Sequence, residues 1–190
     1  MSSATGEFFP KRSSGSINTG QALTWPMALF LLLLGVGSVV LPAVLRLPLK
    51  LPGHHGLEWM ALLMLGRTAS RYRWAASISG VGAGVTALLP VWGADDPIFW
   101  LTALLPALVI DLGLPLFQRL SAQPWSLAVL AGLAHGTKPL LRLAFDTITG
   151  WPYGSLLGGV VYPLTLHIIF GIIGGLLGIG VGVLSTRRQL

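Results

Sequence analysis

Long apolar segments alternate with short polar ones along the whole chain. From Leu23 to Leu45 no charged residue occurs for more than twenty positions, enough to cross the roughly 30 Å hydrocarbon core of a bilayer as a helix. Trp25 stands at its start, where an interface anchor belongs. A second apolar segment, about Gly56 to Gly66, is shorter and stops at the basic run Arg67, Arg71 and Arg73. It either uses the preceding His-His segment as its first turn or is a thin or tilted span. A third helix is expected from about Ala75 to Val91, with Ala76, Gly80 and Gly84 four apart, a spacing that lets helices approach closely in lipid. Pro97 suits the first position of a fourth helix reaching about Leu120. A fifth is expected from about Trp125 to Phe145 and a sixth, rich in overlapping Gly-x-x-x-Gly pairs, from about Leu156 to Leu184.

The pattern predicts an all-α, polytopic membrane protein with six transmembrane helices. Residues 1–21 form a polar N-terminal tail, 22–186 the membrane domain and 187–190 a short basic C-terminal tail. Only 9 % of the 190 residues are charged and the mean hydropathy is +0.76, whereas a soluble domain carries about 25 % charged residues. The apolar run from Leu23 is too long for a signal-peptide core and is read as a membrane helix.

Charge placement sets the orientation. With the N-terminus in the cytoplasm and six spans, Lys11, Arg12, Arg67, Arg71, Arg73, Arg119, Arg187 and Arg188 fall inside, while Arg46, Lys50, Asp95, Asp96 and Asp146 fall outside. That is the positive-inside pattern, with both termini in the cytoplasm. Five spans would put Arg187 and Arg188 opposite Lys11 and Arg12. The expected setting is a bacterial cytoplasmic (inner) membrane, with the lipid bilayer as partner and no nucleic acid.

The polar interruption Leu49-Lys50-Leu51-Pro52-Gly53-His54-His55-Gly56-Leu57-Glu58-Trp59 is the first candidate site. Polar irregular backbone between membrane segments is costly unless buried in protein or lining a wet cavity. Read plainly, it is an external loop and helix start, with Glu58 in the first turn. Read functionally, His54, His55 and Glu58 bind a ligand or a metal. His135, Lys138, Arg142 and Asp146 share one face of the fifth helix, and His167 lies about three turns into the sixth. Under the six-span topology these groups share the outer half of the membrane and point to an outward-facing polar cavity under the loop after the first helix. Lys138 and Arg142 suit an anionic ligand such as a carboxylate or phosphate. The structural alternative is a salt-bridge network, Arg142 with Asp146 on one helix and Lys138 with Asp111 across helices. A metal site built from His54, His55, Glu58, His135 and His167 has no motif of fixed ligand spacing behind it.

The chain has no cysteine, which removes thiol nucleophiles and thiolate metal sites. No Gly-x-Ser-x-Gly and no P-loop occurs. A binding protein rather than an enzyme is expected, no cofactor is specified, and any transport needs energy from another subunit or an ion gradient.

Six spans, an N-in start and the proline-containing segment Leu47-Pro48-Leu49-Lys50-Leu51-Pro52-Gly53 resemble the substrate-binding (S) components of energy-coupling factor transporters. The small-residue patches Gly35/Gly37 and Gly80/Gly84 look like the packing surfaces of such helices. The resemblance covers about Leu23 to Leu184 and is architectural. It implies a small-molecule ligand held on the outer side, capped by the loop after the first helix, together with a transmembrane coupling protein and two cytoplasmic ATPases. Met1-Ser2-Ser3 departs from the Met-His start of the metal-transporting members, so metal uptake by that route is not implied. The competing class is an accessory, non-catalytic subunit of a larger respiratory or photosynthetic complex, its histidines ligating haem or a pigment.

Overall fold

The computed structural model describes residues 22–45, 48–93, 96–120 and 124–187. The polar N-terminal tail, Arg46, Asp95, Arg188 and nearly all of the basic C-terminal tail lie outside these. Among the described residues there are seven α-helices: α1 (Trp25–Leu45), α2 (Gly56–Ala69), α3 (Ala75–Ala87), α4 (Pro90–Gly93), α5 (Phe99–Leu120), α6 (Pro124–Thr149) and α7 (Val161–Arg187). Three, Trp25–Leu45, Phe99–Leu120 and Val161–Ser185, are long and apolar enough to cross a membrane. The protein is all-helical among the described residues and membrane-embedded by the character of these helices.

The sequence places most of these elements within a few residues, and the differences have local causes. Helix α2 runs past Gly66 to Ala69, because Arg67 turns its guanidinium onto the Tyr72 carbonyl and Thr68 Oγ1 donates to the Met64 carbonyl at 2.8 Å. The third helix does not reach Val91. It ends at Ala87, two residues bend, and α4 starts at Pro90, since proline brings no N–H and disfavours helical geometry in the residue before it. Helix α6 continues beyond Phe145 to Thr149, where Gly150 takes a left-handed φ of +71° and its N–H closes on the Asp146 carbonyl at 2.7 Å. The last helix begins at Val161, not Leu156; residues 154–156 form a separate 3₁₀ turn ahead of it. At 14 and 13 residues, α2 and α3 are only about 20 Å long, short of the roughly 30 Å core.

Six helices pack in a closed ring, in the order α1, α3, α5, α6, α7, α2 and back to α1. Small residues set the spacing. A Cβ at Gly35 of α1 would collide with backbone at Ser79 and Ala83 of α3, and one at Gly82 of α3 would meet the backbone of Leu32. Gly80 lies against Ala107 and Leu104 of α5, so the Gly80/Gly84 face is spent inside the ring. Helix α7 carries two glycine stripes: Gly171 and Gly175 face α6, while Gly174, Gly178 and Gly182 face α2. Its contacts with α2 advance together, Gly174 with Leu57, Gly178 with Ala61 and Gly182 with Thr68, so these helices run parallel. Those with α6 run in opposite order, so that pair is antiparallel.

Apolar side chains fill the interior, with Trp59, Met60, Leu63 and Met64 of α2 packing on alanines of α3, α5 and α6. Leu33, Val85, Leu112 and Leu177 point outward and exposed, the distribution a lipid solvent accepts. Gly178→Leu is expected to lower stability by at least about 1–3 kcal/mol, because overpacking meets backbone that cannot yield. Gly180→Ala, with nothing within 4 Å of the added carbon, is expected to change little; thermal unfolding of both variants in one detergent checks the contrast.

Candidate functional site

The polar residues gather toward one end of the ring, between α6, α7 and the segment ahead of α2. His135 of α6 and His167 of α7 stack with ring centroids 4.8 Å apart. His135 is 2 % exposed. The segment between α1 and α2 lies directly on this pair. Gly53, at φ +79°, and Gly56 leave room for it: a Cβ at Gly53 would stand 2.7 Å from His167 Nδ1, and one at Gly56 2.5 Å from His135 Nε2. Carbonyls fix both tautomers. His135 Nε2–H donates to the Gly53 carbonyl at 3.3 Å, and His167 Nδ1–H to the Pro163 carbonyl at 2.7 Å. A carbonyl only accepts, so each neutral ring keeps a lone pair on its other nitrogen.

One turn along α6, the Lys138 ammonium sits over the Trp59 ring, 2.7 Å from its centroid, a cation–π contact in a desolvated setting. Lys138 is 6 % exposed. Another turn on, Arg142 Nη2 donates to Asp96 Oδ2 at 2.7 Å. Asp96 Oδ1 accepts from the Tyr153 hydroxyl at 3.0 Å and the Ile98 N–H at 3.2 Å. The Arg142 guanidinium also lies 5.3 Å from the Tyr153 ring centre. Burial, then the hydrogen bond to Asp96, pushes the Tyr153 phenol up from its ordinary value, so it acts as a donor.

The charge partners differ from those expected from sequence. Arg142 pairs with Asp96 of the segment before α5, not with Asp146 of its own helix. Lys138 does not reach Asp111. That carboxylate, 3 % exposed, lies toward the opposite end of the ring and accepts from the Ala76 N–H (3.3 Å), the Ser77 N–H (2.7 Å) and Ser77 Oγ (2.8 Å). Arg67 Nη1 stands 4.0 Å away. Helix α3 has no cap from its own Trp74 position, so Asp111 caps it from α5. Asp96 and Tyr153 were missing from the expected set. Asp96 reads as an ordinary turn residue and Tyr153 as an interface anchor, and the two meet across 57 positions of sequence.

His54, His55 and Glu58 do not form one constellation. The two imidazoles lie 3.9 Å apart, and His54 Nδ1–H donates to the Leu51 carbonyl at 2.6 Å. Glu58, 8 % exposed, occupies the α2 strip of Leu62, which packs on Gly37 of α1. Trp59, about 100° further round the helix, points to Lys138 and Phe99 instead. Among the described residues no three His, Cys, Asp or Glu converge on a metal position.

The hydrogen-bond inventory of this end is incomplete. Trp59 Nε1, His135 Nδ1, Arg142 Nε and both Glu58 oxygens are buried with no partner among the described residues. Leaving such groups unpaired costs about 1–3 kcal/mol each, so they are candidates for contact with a bound molecule. Comparison with protein-family models, curated proteins and solved structures returns no match.

Partial desolvation, then the neighbouring His54 and Lys138, lowers His55 from 6.5 to about 4. The folded protein therefore binds fewer protons than the unfolded chain between these values, and stability is expected to fall as pH drops from 6.5 toward 4. In His55→Gln that decline is expected to be shallower; denaturation midpoints across this range measure it. Asp111→Ala strands the α3 N–H groups and is expected to cost about 3 kcal/mol, read from the unfolding midpoint at neutral pH.

Proposed function

We propose that this chain is a membrane-embedded small-molecule-binding subunit of an uptake transporter in a bacterial cytoplasmic membrane. The ligand is held at the polar end of the ring, beneath residues 48–55. The observation that carries the reading is the buried, unspent hydrogen-bonding capacity of Trp59, His135 and Arg142 under the glycine-containing segment that rests on His135 and His167. A purely structural network would be expected to close, as the Asp111 cap does.

Six spans with both termini inside follow from the same reading. Parallel α2 and α7 and antiparallel α6 and α7 fit a chain that reverses at each of six helices. Arg67, Arg71, Arg73 and Arg119 then share the cytoplasmic end, and Lys50, Asp96, Arg142 and Asp146 the other. The resemblance to energy-coupling factor S components adds a coupling protein and ATPases as partners. Because Gly35 and Ser38 are buried within the ring, such a partner docks on another surface than the α1 small-residue patch.

A second reading, the accessory subunit of a larger complex, draws on the histidine pair. Each ring donates one N–H to a carbonyl and keeps one free lone pair, as haem- or pigment-ligating histidines do. Purification in gentle detergent, with native mass spectrometry and an absorption spectrum of the same fraction, separates the two. A colourless preparation carrying a small molecule, lost or bound at least tenfold more weakly in Lys138→Met and Arg142→Ala, supports the transporter subunit. A visible band removed by His135→Phe and large co-purifying partners would sink it.

A further inference from the structure

The donors and acceptors left open at the polar end define the complement they would take, given the reading of this end as a ligand site. His135, Lys138 and Arg142 follow one another at i, i+3 and i+7 on one face of α6, and Trp59 closes on Lys138 from α2. Three donors are unspent. The Lys138 ammonium has only the Trp59 face, and no carboxylate lies within 4.0 Å of it among the described residues. Arg142 Nε and Trp59 Nε1 have no partner among those residues. The nearby carboxylate is already engaged, since Asp96 accepts from Arg142, Tyr153 and Ile98. A buried cation is costly without opposite charge close by, and an anionic ligand would supply that charge to Lys138 and a partner to Arg142 Nε.

On this face of α6 one acceptor is also unspent; the open Glu58 oxygens belong to the α2 strip that faces α1. His135 gives its Nε2–H to the Gly53 carbonyl, which leaves Nδ1 as a buried lone pair without a donor. A simple anion would satisfy the cations and leave this atom stranded. An ammonium donor would add a third positive charge beside Lys138 and Arg142. We infer that the ligand is a small oxyanion bearing its own hydroxyl donor: a hydroxycarboxylate or a monoprotonated phosphoryl group. Its oxyanion meets Lys138, Arg142 and Trp59 Nε1, and its O–H donates to His135 Nδ1. The size is small, because His135 to Arg142 spans only about 10 Å of helix rise. Arg142 and Asp96, with side chains 25 % and 17 % exposed, mark where the cluster reaches the surface.

The test pairs molecules that differ by that donor. Lactate is compared with propionate, and methylphosphonate with methanesulfonate, at mildly acidic pH where each is a monoanion, by titration calorimetry on the purified full chain. The hydroxyl-bearing member of at least one pair is expected to bind about tenfold tighter than its twin, the worth of one buried hydrogen bond. Which pair shows it tells carboxylate from phosphoryl. His135→Phe is expected to erase the preference, His135→Gln, which keeps an acceptor, to restore part of it, and Lys138→Met to weaken both members. Equal binding of the twins in the unmodified protein, with Lys138→Met weakening both, overturns the donor inference and leaves the site standing. No binding of any of the four at millimolar concentration, unchanged by Lys138→Met, overturns the site itself along with the inference.

Discussion

The backbone-on-backbone approach of α7 to α2 and α6 is the constraint on which the rest of the structure depends. In lipid, apolar surface gives helices little reason to associate, and close packing takes over that role. Gly174 and Gly178 bring α7 against the main chain of Gly56 and Ala61, while Gly171 brings it against Gly132. Only at that spacing can His167 stack on His135 and the Gly53–Gly56 turn lie over both rings. Any side chain on these stripes would part the helices and open the polar end.

The two ends of the ring handle burial of polar groups differently. At Asp111 every obligation is met: three donors on one carboxylate, a guanidinium beside it, and an otherwise uncapped helix start. Such closure fixes the α2–α3 turn against α5 and leaves nothing for a visitor. At the opposite end Asp96 ties α6 to the segment before α5 and to the α6–α7 loop, yet neighbouring atoms stay unpaired. Low dielectric raises the stakes of each unpaired group, which is why this end, rather than the arginine-rich one, carries the functional reading.

Tryptophan and lysine at this end are matched by shape as well as charge. The Lys138 stem passes through the ring interior while its ammonium rests on the Trp59 face, and Trp59 in turn meets the edge of Phe99 at 6.1 Å. This aromatic support holds a cation in place without a carboxylate that would neutralise it. Arg142, by contrast, is steered by Asp96 and Tyr153. The cluster therefore combines one fixed cation, one anchored guanidinium and one oriented imidazole on successive turns of a single helix.

Much of this was legible from the chain alone. Uninterrupted apolar runs determine the helices, since backbone in hydrocarbon must bond to itself, and the starts of α2 and α3 and the end of α5 are marked by glycines, arginines and prolines acting locally. The i, i+3, i+7 spacing already placed His135, Lys138 and Arg142 on one face. The partners were not legible. Asp96, rather than Asp146, holds Arg142, and Asp111 turns to Ser77 rather than Lys138. Periodicity fixes which residues share a face, but which faces meet depends on which glycine stripe admits which neighbour, and only the packed ring decides that.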